Sequence, residues 1–135
     1  MSREARPQGA VLRRLEAIVV VLVAVHSYAV GAMLLVIPSL ATRLGGWPAV
    51  QPLFFPRQGG VFHLVVATGY LLEYRRHRGV TLLVTAKTAA AVFLLTHALI
   101  APETWLVPVL GAGDALMGAL VLLLHRRLRS AAPSP

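Results

Sequence analysis

The sequence predicts an all-α membrane protein, a four-transmembrane-helix antiparallel bundle with its N- and C-termini cytoplasmic. Three observations lead there. Of the 135 residues, 57% are hydrophobic and 13% are charged, a charged share roughly half that of ordinary soluble domains. A soluble domain this small has a large surface for its volume and must coat it with polar groups. The apolar residues are gathered into four runs, and the arginines are gathered between them.

The first run, 15–37, closes at Pro38 and is long enough to cross roughly 30 Å of hydrocarbon. It follows Arg13 and Arg14, as a signal peptide would, but it exceeds a signal's apolar core and lacks a small-x-small cleavage site. The second run, 58–74, is entered through Pro56 and Arg57 and ends at Arg75-Arg76-His77-Arg78. It is the shortest and can cross only with little tilt. The third, 80–100, ends before Pro102, and the fourth, 105–124, ends at His125-Arg126-Arg127. Pro108 falls in the first turn of the fourth helix, where a missing N–H costs little. Residues 12–129 thus form one transmembrane domain, flanked by tails at 1–11 and 130–135 that are expected to lack order.

The net charge is +8. Its placement argues against nucleic acid and for topology. Basic clusters precede the first run, separate the second from the third and follow the fourth. With four spans these places share one side, which the positive-inside rule assigns to the cytoplasm of a bacterial inner membrane, with anionic headgroups as partners. Residues 40–55, with Trp47, Phe54 and Phe55, suit an interfacial segment on the opposite side. Arg57, Trp47 and Trp105 are the expected interface anchors, with Arg57 reaching headgroups or Glu103.

Cysteine is absent, which excludes disulfides, thiolate nucleophiles and cysteine-bound metal. Phosphate loops, serine-hydrolase elbows and zinc-protease motifs are also absent, so no complete catalytic set is present. What remains is a handful of polar residues at membrane depth. A rise of about 1.5 Å per residue puts His26, Tyr70, Lys87 and Asp114 in one mid-membrane layer, with one residue from each span. His63 and His97 fall nearer the outer face. Lys87 is the single lysine beside twelve arginines, and an isolated charge there costs about 3 kcal/mol or more. Pairing with Asp114 reduces both costs. Small residues spaced by four (Ala86 and Ala90; Gly111, Ala115 and Ala119; Asp114 and Gly118) bring the last two spans close enough for it. Such a pair can serve as a register pin or as a proton or ligand site. His63 and His97 could ligate haem only if they faced each other at equal depth. Glu73 reads as a solvated partner of the adjacent arginines.

The four short spans, Pro56-Arg57-x-Gly59-Gly60, Ala86-Lys87 and Gly113-Asp114 together resemble DoxX-like and related small bacterial four-helix membrane proteins. That resemblance implies partnership with respiratory or redox membrane systems, although the missing cysteine argues against sulfur chemistry. The expected role is a non-catalytic accessory or scaffold subunit of a larger membrane complex, in contact with other subunits or with itself. The alternatives are a quinone-, haem- or lipid-binding protein, and an oligomeric conductor of protons or small solutes.

Overall fold

The computed structural model describes residues 5–101 and 104–130. Among them are five helices and no strand: α1 (Ala5–Val36), α2 (Pro38–Leu44), α3 (Phe54–His77), α4 (Thr81–Ile100) and α5 (Leu106–Ser130). Two antiparallel pairs, α1 with α3 and α4 with α5, make the most extensive contacts, and α1 also packs against α5. The part of the N-terminal tail expected at 5–11 is instead the first turns of α1.

The four-span expectation is corrected here. Three helices are long and apolar enough to cross a membrane: Gly9–Val36 within α1, Thr81–Ile100 and Leu106–Ser130. Helix α3 is not among them, although it is 24 residues long. Arg57 and Gln58 stand near its start, His63 breaks its first apolar turns, and Glu73, Arg75 and Arg76 crowd its end. What lies between is too short an apolar run to cross hydrocarbon by its own composition. Instead, α3 lies along α1 and directs part of its polarity there.

Two glycines make that alignment close. A Cβ on Gly31 would sit 2.8 Å from the carbonyl oxygen of Gly60, and one on Gly60 would sit 2.7 Å from the carbonyl oxygen of Gly31. The helices therefore touch backbone to backbone, the arrangement that replaces hydrophobic driving force where the solvent is lipid. Further along, the Tyr28 hydroxyl meets Thr68 Oγ1 at 2.7 Å. The Thr68 hydrogen already goes to the Leu64 carbonyl, so Tyr28 is the donor.

The link between α3 and α4 is short and capped. Arg78 closes α3 in the left-handed conformation at φ 53°. Glu73 does not act as a solvated partner of the arginines. Its carboxylate accepts the first amides of α4, Thr81 N at 3.1 Å and Leu82 N at 2.9 Å, satisfying two orphan donors of a helix start. Gly79 leaves the space, since a Cβ there would lie 2.7 Å from Glu73 Oε1. At the other end α1 stops before Pro38 and α2 turns aside. The following loop brings Gly45 and Gly46 against Trp47, Thr104 and Trp105. Phe54, Phe55 and Trp105 are exposed there. Arg57 is exposed too, and its suggested partner Glu103 lies outside the described residues.

The core is a column of Val20, Val23, Tyr70, Tyr74, Val80, Leu83 and Val121. The contact between α1 and α3 predicts a contrast between neighbouring glycines. Gly60→Val drives a branched side chain into the α1 backbone and lowers the melting temperature in detergent by an overpacking cost of about 1–3 kcal/mol or more. Gly59→Ala, where a Cβ meets nothing within 4 Å, leaves it unchanged or raised. Equal melting temperatures for the two variants would contradict the packing described.

Candidate functional site: a polar cavity among the helices

On α4, residues Leu83, Lys87 and Ala91 are buried at four-residue spacing. On α5 the buried stripe is Gly111, Gly118 and Val121 with partly buried Asp114, while Ala115 and Ala119 face outward. Of the two small-residue stripes expected, the helices thus meet along the one carrying Asp114 and Gly118, and Ala115 and Ala119 of the other face away. Gly118 is where room is made: a Cβ there would sit 3.2 Å from Lys87 Cβ.

In that contact Lys87 Nζ donates to Asp114 Oδ1 at 2.6 Å. The lysine side chain is 7% exposed and the carboxylate 15%. The pair opens onto a cavity of about 180 Å³. Its polar wall is Ser27 of α1, His63 and Tyr70 of α3, and the pair itself; Phe62, Val66, Ala86 and Ala90 supply the apolar wall. All four long helices contribute.

Of the expected mid-membrane layer, Tyr70, Lys87 and Asp114 come together here. His26 does not line the cavity. It is exposed on the outer side of α1, within electrostatic range of Lys87, Asp114 and His63. Its neighbour Ser27, 3% exposed, takes the inward place. One residue along a helix is a rotation of about 100°, which is enough to exchange inside for outside.

The condition for haem ligation by His63 and His97, that they face each other, is not met. His63 lines the cavity, and its Nδ1–H donates to the Gly59 carbonyl at 2.9 Å, leaving Nε2 as the free ring position. His97 lies along a separate groove on α4 with Phe93, Thr96 and Ile100, stacked on Phe93 at 5.9 Å between centroids. The two imidazoles therefore do not converge on one haem iron. Among the described residues no three His, Asp or Glu side chains gather as a metal would require.

Two hydroxyls of the cavity stand out. Ser27 and Tyr70, each 3% exposed, have no hydrogen-bond partner among the described residues. Both side chains line the cavity, so their hydroxyls remain available to an occupant.

A second buried cluster is one that sequence reasoning missed. Glu16, 4% exposed, accepts the Tyr74 hydroxyl at 3.0 Å and His125 Nδ1–H at 2.6 Å. It ties the start of α1 to the ends of α3 and α5. The available signal was an acid one residue inside an apolar run. Its partners lie 58 and 109 positions away, beyond any spacing rule.

The chain matches no protein-family profile, no curated protein and no solved structure. The DoxX-like resemblance therefore stands on its short motifs alone.

The pair predicts a non-additive series. Asp114→Asn leaves a buried ammonium without its counter-charge and costs about 3–5 kcal/mol, read as reduced melting temperature and yield in detergent. Lys87→Met with Asp114→Leu removes both charges and recovers most of that loss. A double variant no more stable than Asp114→Asn would show that the pair does more than cancel charge.

Proposed function

We propose that this chain is a non-catalytic membrane protein that binds the head group of a small membrane-dissolved molecule. The class best suited is a quinone or similar carbonyl-bearing ring. The observation carrying this reading is the pair of cavity-lining hydroxyls, Ser27 and Tyr70, beside the Lys87–Asp114 pair.

The dimensions suit such a ligand. Pockets that enclose drug-sized molecules run to roughly 300–1,000 Å³, so 180 Å³ suits a head group with its tail in lipid and is too small for a haem. The chemistry suits it as well. Tyr70, Ser27 and the spare hydrogens of Lys87 can donate to a carbonyl, and Phe62 and Val66 offer apolar contact to a ring. The ion pair has its own charge satisfied, so it can polarise a bound group without itself needing a charged ligand.

A second reading is an accessory subunit in a larger membrane complex, supported by one face of α4. There Val92, Phe93 and Ile100 are 61%, 67% and 77% exposed, and Thr96 with half-buried His97 interrupts them. A helix of another membrane subunit would accommodate those polar groups better than acyl chains do. We further infer that the end carrying the basic clusters faces the cytoplasm of a bacterial inner membrane, by the positive-inside rule.

Binding of a short-tailed benzoquinone to the full chain in detergent, followed by thermal shift, tests the first reading. Tyr70→Phe and Ser27→Ala each weaken binding about tenfold, the loss of one buried hydrogen bond, while both variants stay folded. Undiminished binding in both would remove the cavity as the site. Mass spectrometry of the gently solubilised native assembly tests the second: a stoichiometric companion subunit is expected, and a chain released alone would end that reading.

A further inference from the structure

The three basic clusters converge. Arg13 and Arg14 of α1, Arg78 at the end of α3 and Arg129 of α5 line a single cavity of about 610 Å³ at one end of the helices. They come from positions more than a hundred residues apart, and only the tertiary fold brings them together. Leu128 contributes an apolar patch and His77 a further nitrogen base.

Its floor is the Glu16 cluster, which would repel an anion if its charge were open. The two Glu16 oxygens are turned to partners within the protein, one taking the Tyr74 hydroxyl and the other His125. The remaining acids among the described residues are also engaged, Glu73 with the α4 amides and Asp114 with Lys87. Against the one Glu16 carboxylate stand four guanidiniums, so the cavity keeps a net positive charge. One of them is held in place, with Arg78 Cζ over the Tyr74 ring at 5.3 Å. Planar, permanently charged guanidinium groups that converge in this way match the oxygens of phosphate in bidentate fashion.

We propose that this basic-end cavity binds a phosphate-bearing anion, received by Arg13, Arg14, Arg78 and Arg129. The volume exceeds what one phosphate fills, so the ligand carries either a second phosphate or an attached polar backbone such as glycerol. The cavity lies where the candidate spans of α1 and α5 begin and end, the level of lipid headgroups. The same chemistry is offered by an anionic phospholipid and by a soluble diphosphate. This site is separate from the cavity around Lys87 and does not depend on the ligand proposed there.

The test uses the full chain in nanodiscs of zwitterionic phosphatidylcholine. Inorganic pyrophosphate is added in one arm, and phosphatidylglycerol is titrated into the bilayer in the other, with thermal shift and native mass spectrometry as readouts. Binding in the lipid arm alone identifies a headgroup site, and binding in the pyrophosphate arm identifies a soluble anion site; either supports the proposal if it depends on these arginines. Arg14→Gln and Arg129→Gln, both exposed side chains whose loss leaves the fold intact, each weaken binding about tenfold, as removal of one charged hydrogen bond requires. Arg43→Gln on α2 removes the same charge far from the cavity and leaves binding within about twofold, consistent with screening over a Debye length. No binding in either arm, or equal weakening by Arg43→Gln, overturns the proposal.

Discussion

The structure depends on one constraint: a charged or hydrogen-bonding side chain carried on an apolar helix must find its partner inside the protein. Lys87 and Asp114 meet it together, 2.6 Å apart between α4 and α5. The consequences spread outward. The pair holds antiparallel α4 and α5 in one register, and Gly118 gives Lys87 room, since a Cβ there would lie 3.2 Å from the lysine Cβ. Because the pair is buried at a four-helix junction, α1 and α3 close around it and leave a polar cavity lined from all four helices.

The same rule operates at the basic end with different groups. Glu16 is as buried as Lys87, at 4% against 5% exposure, but it is held by two uncharged or titratable partners from two other helices. The two polar clusters divide the structural work. One joins α4 to α5, and the other joins α1 to α3 and α5. Between them the glycine contact of Gly31 and Gly60 fixes how closely α1 and α3 approach. Hydrogen bonds and backbone contact, rather than exclusion of apolar surface, distinguish inside from outside here. Much of the remaining apolar surface is exposed: Leu99, Ile100, Val36 and Leu116 all face outward, as lipid-facing residues do.

Several expectations were legible and several were not. The helical class, the apolar runs of α1, α4 and α5 and the contact of Lys87 with Asp114 could all be read from residue types and their order. The span count could not. Counting 58–74 as a fourth crossing treated a moderately apolar run as if it stood alone. Arg57, Gln58, His63 and Glu73 make α3 too polar to qualify, and its place is set by packing on α1. The role of Glu73 was hidden for a related reason. Adjacency to arginines in sequence suggested ion pairing, whereas the turn at Arg78 and Gly79 folds the carboxylate onto the amides of α4.

Residue order and composition by themselves determined that this is a helical, membrane-compatible chain with its basic charge in clusters and a lysine and an aspartate in need of each other. Those conclusions follow from solvation energies, which depend on residue type and run length. Tertiary structure alone decided which side of each helix faces in: Ser27 and not His26, Gly118 and not Ala119, His63 in the cavity and His97 on an outer groove. A helix that is apolar all round has little amphipathic signal to set its rotation. Rotation is settled instead by close contacts such as Gly31 against Gly60, and by partners as distant as Glu16 and His125, which no spacing along the chain reveals.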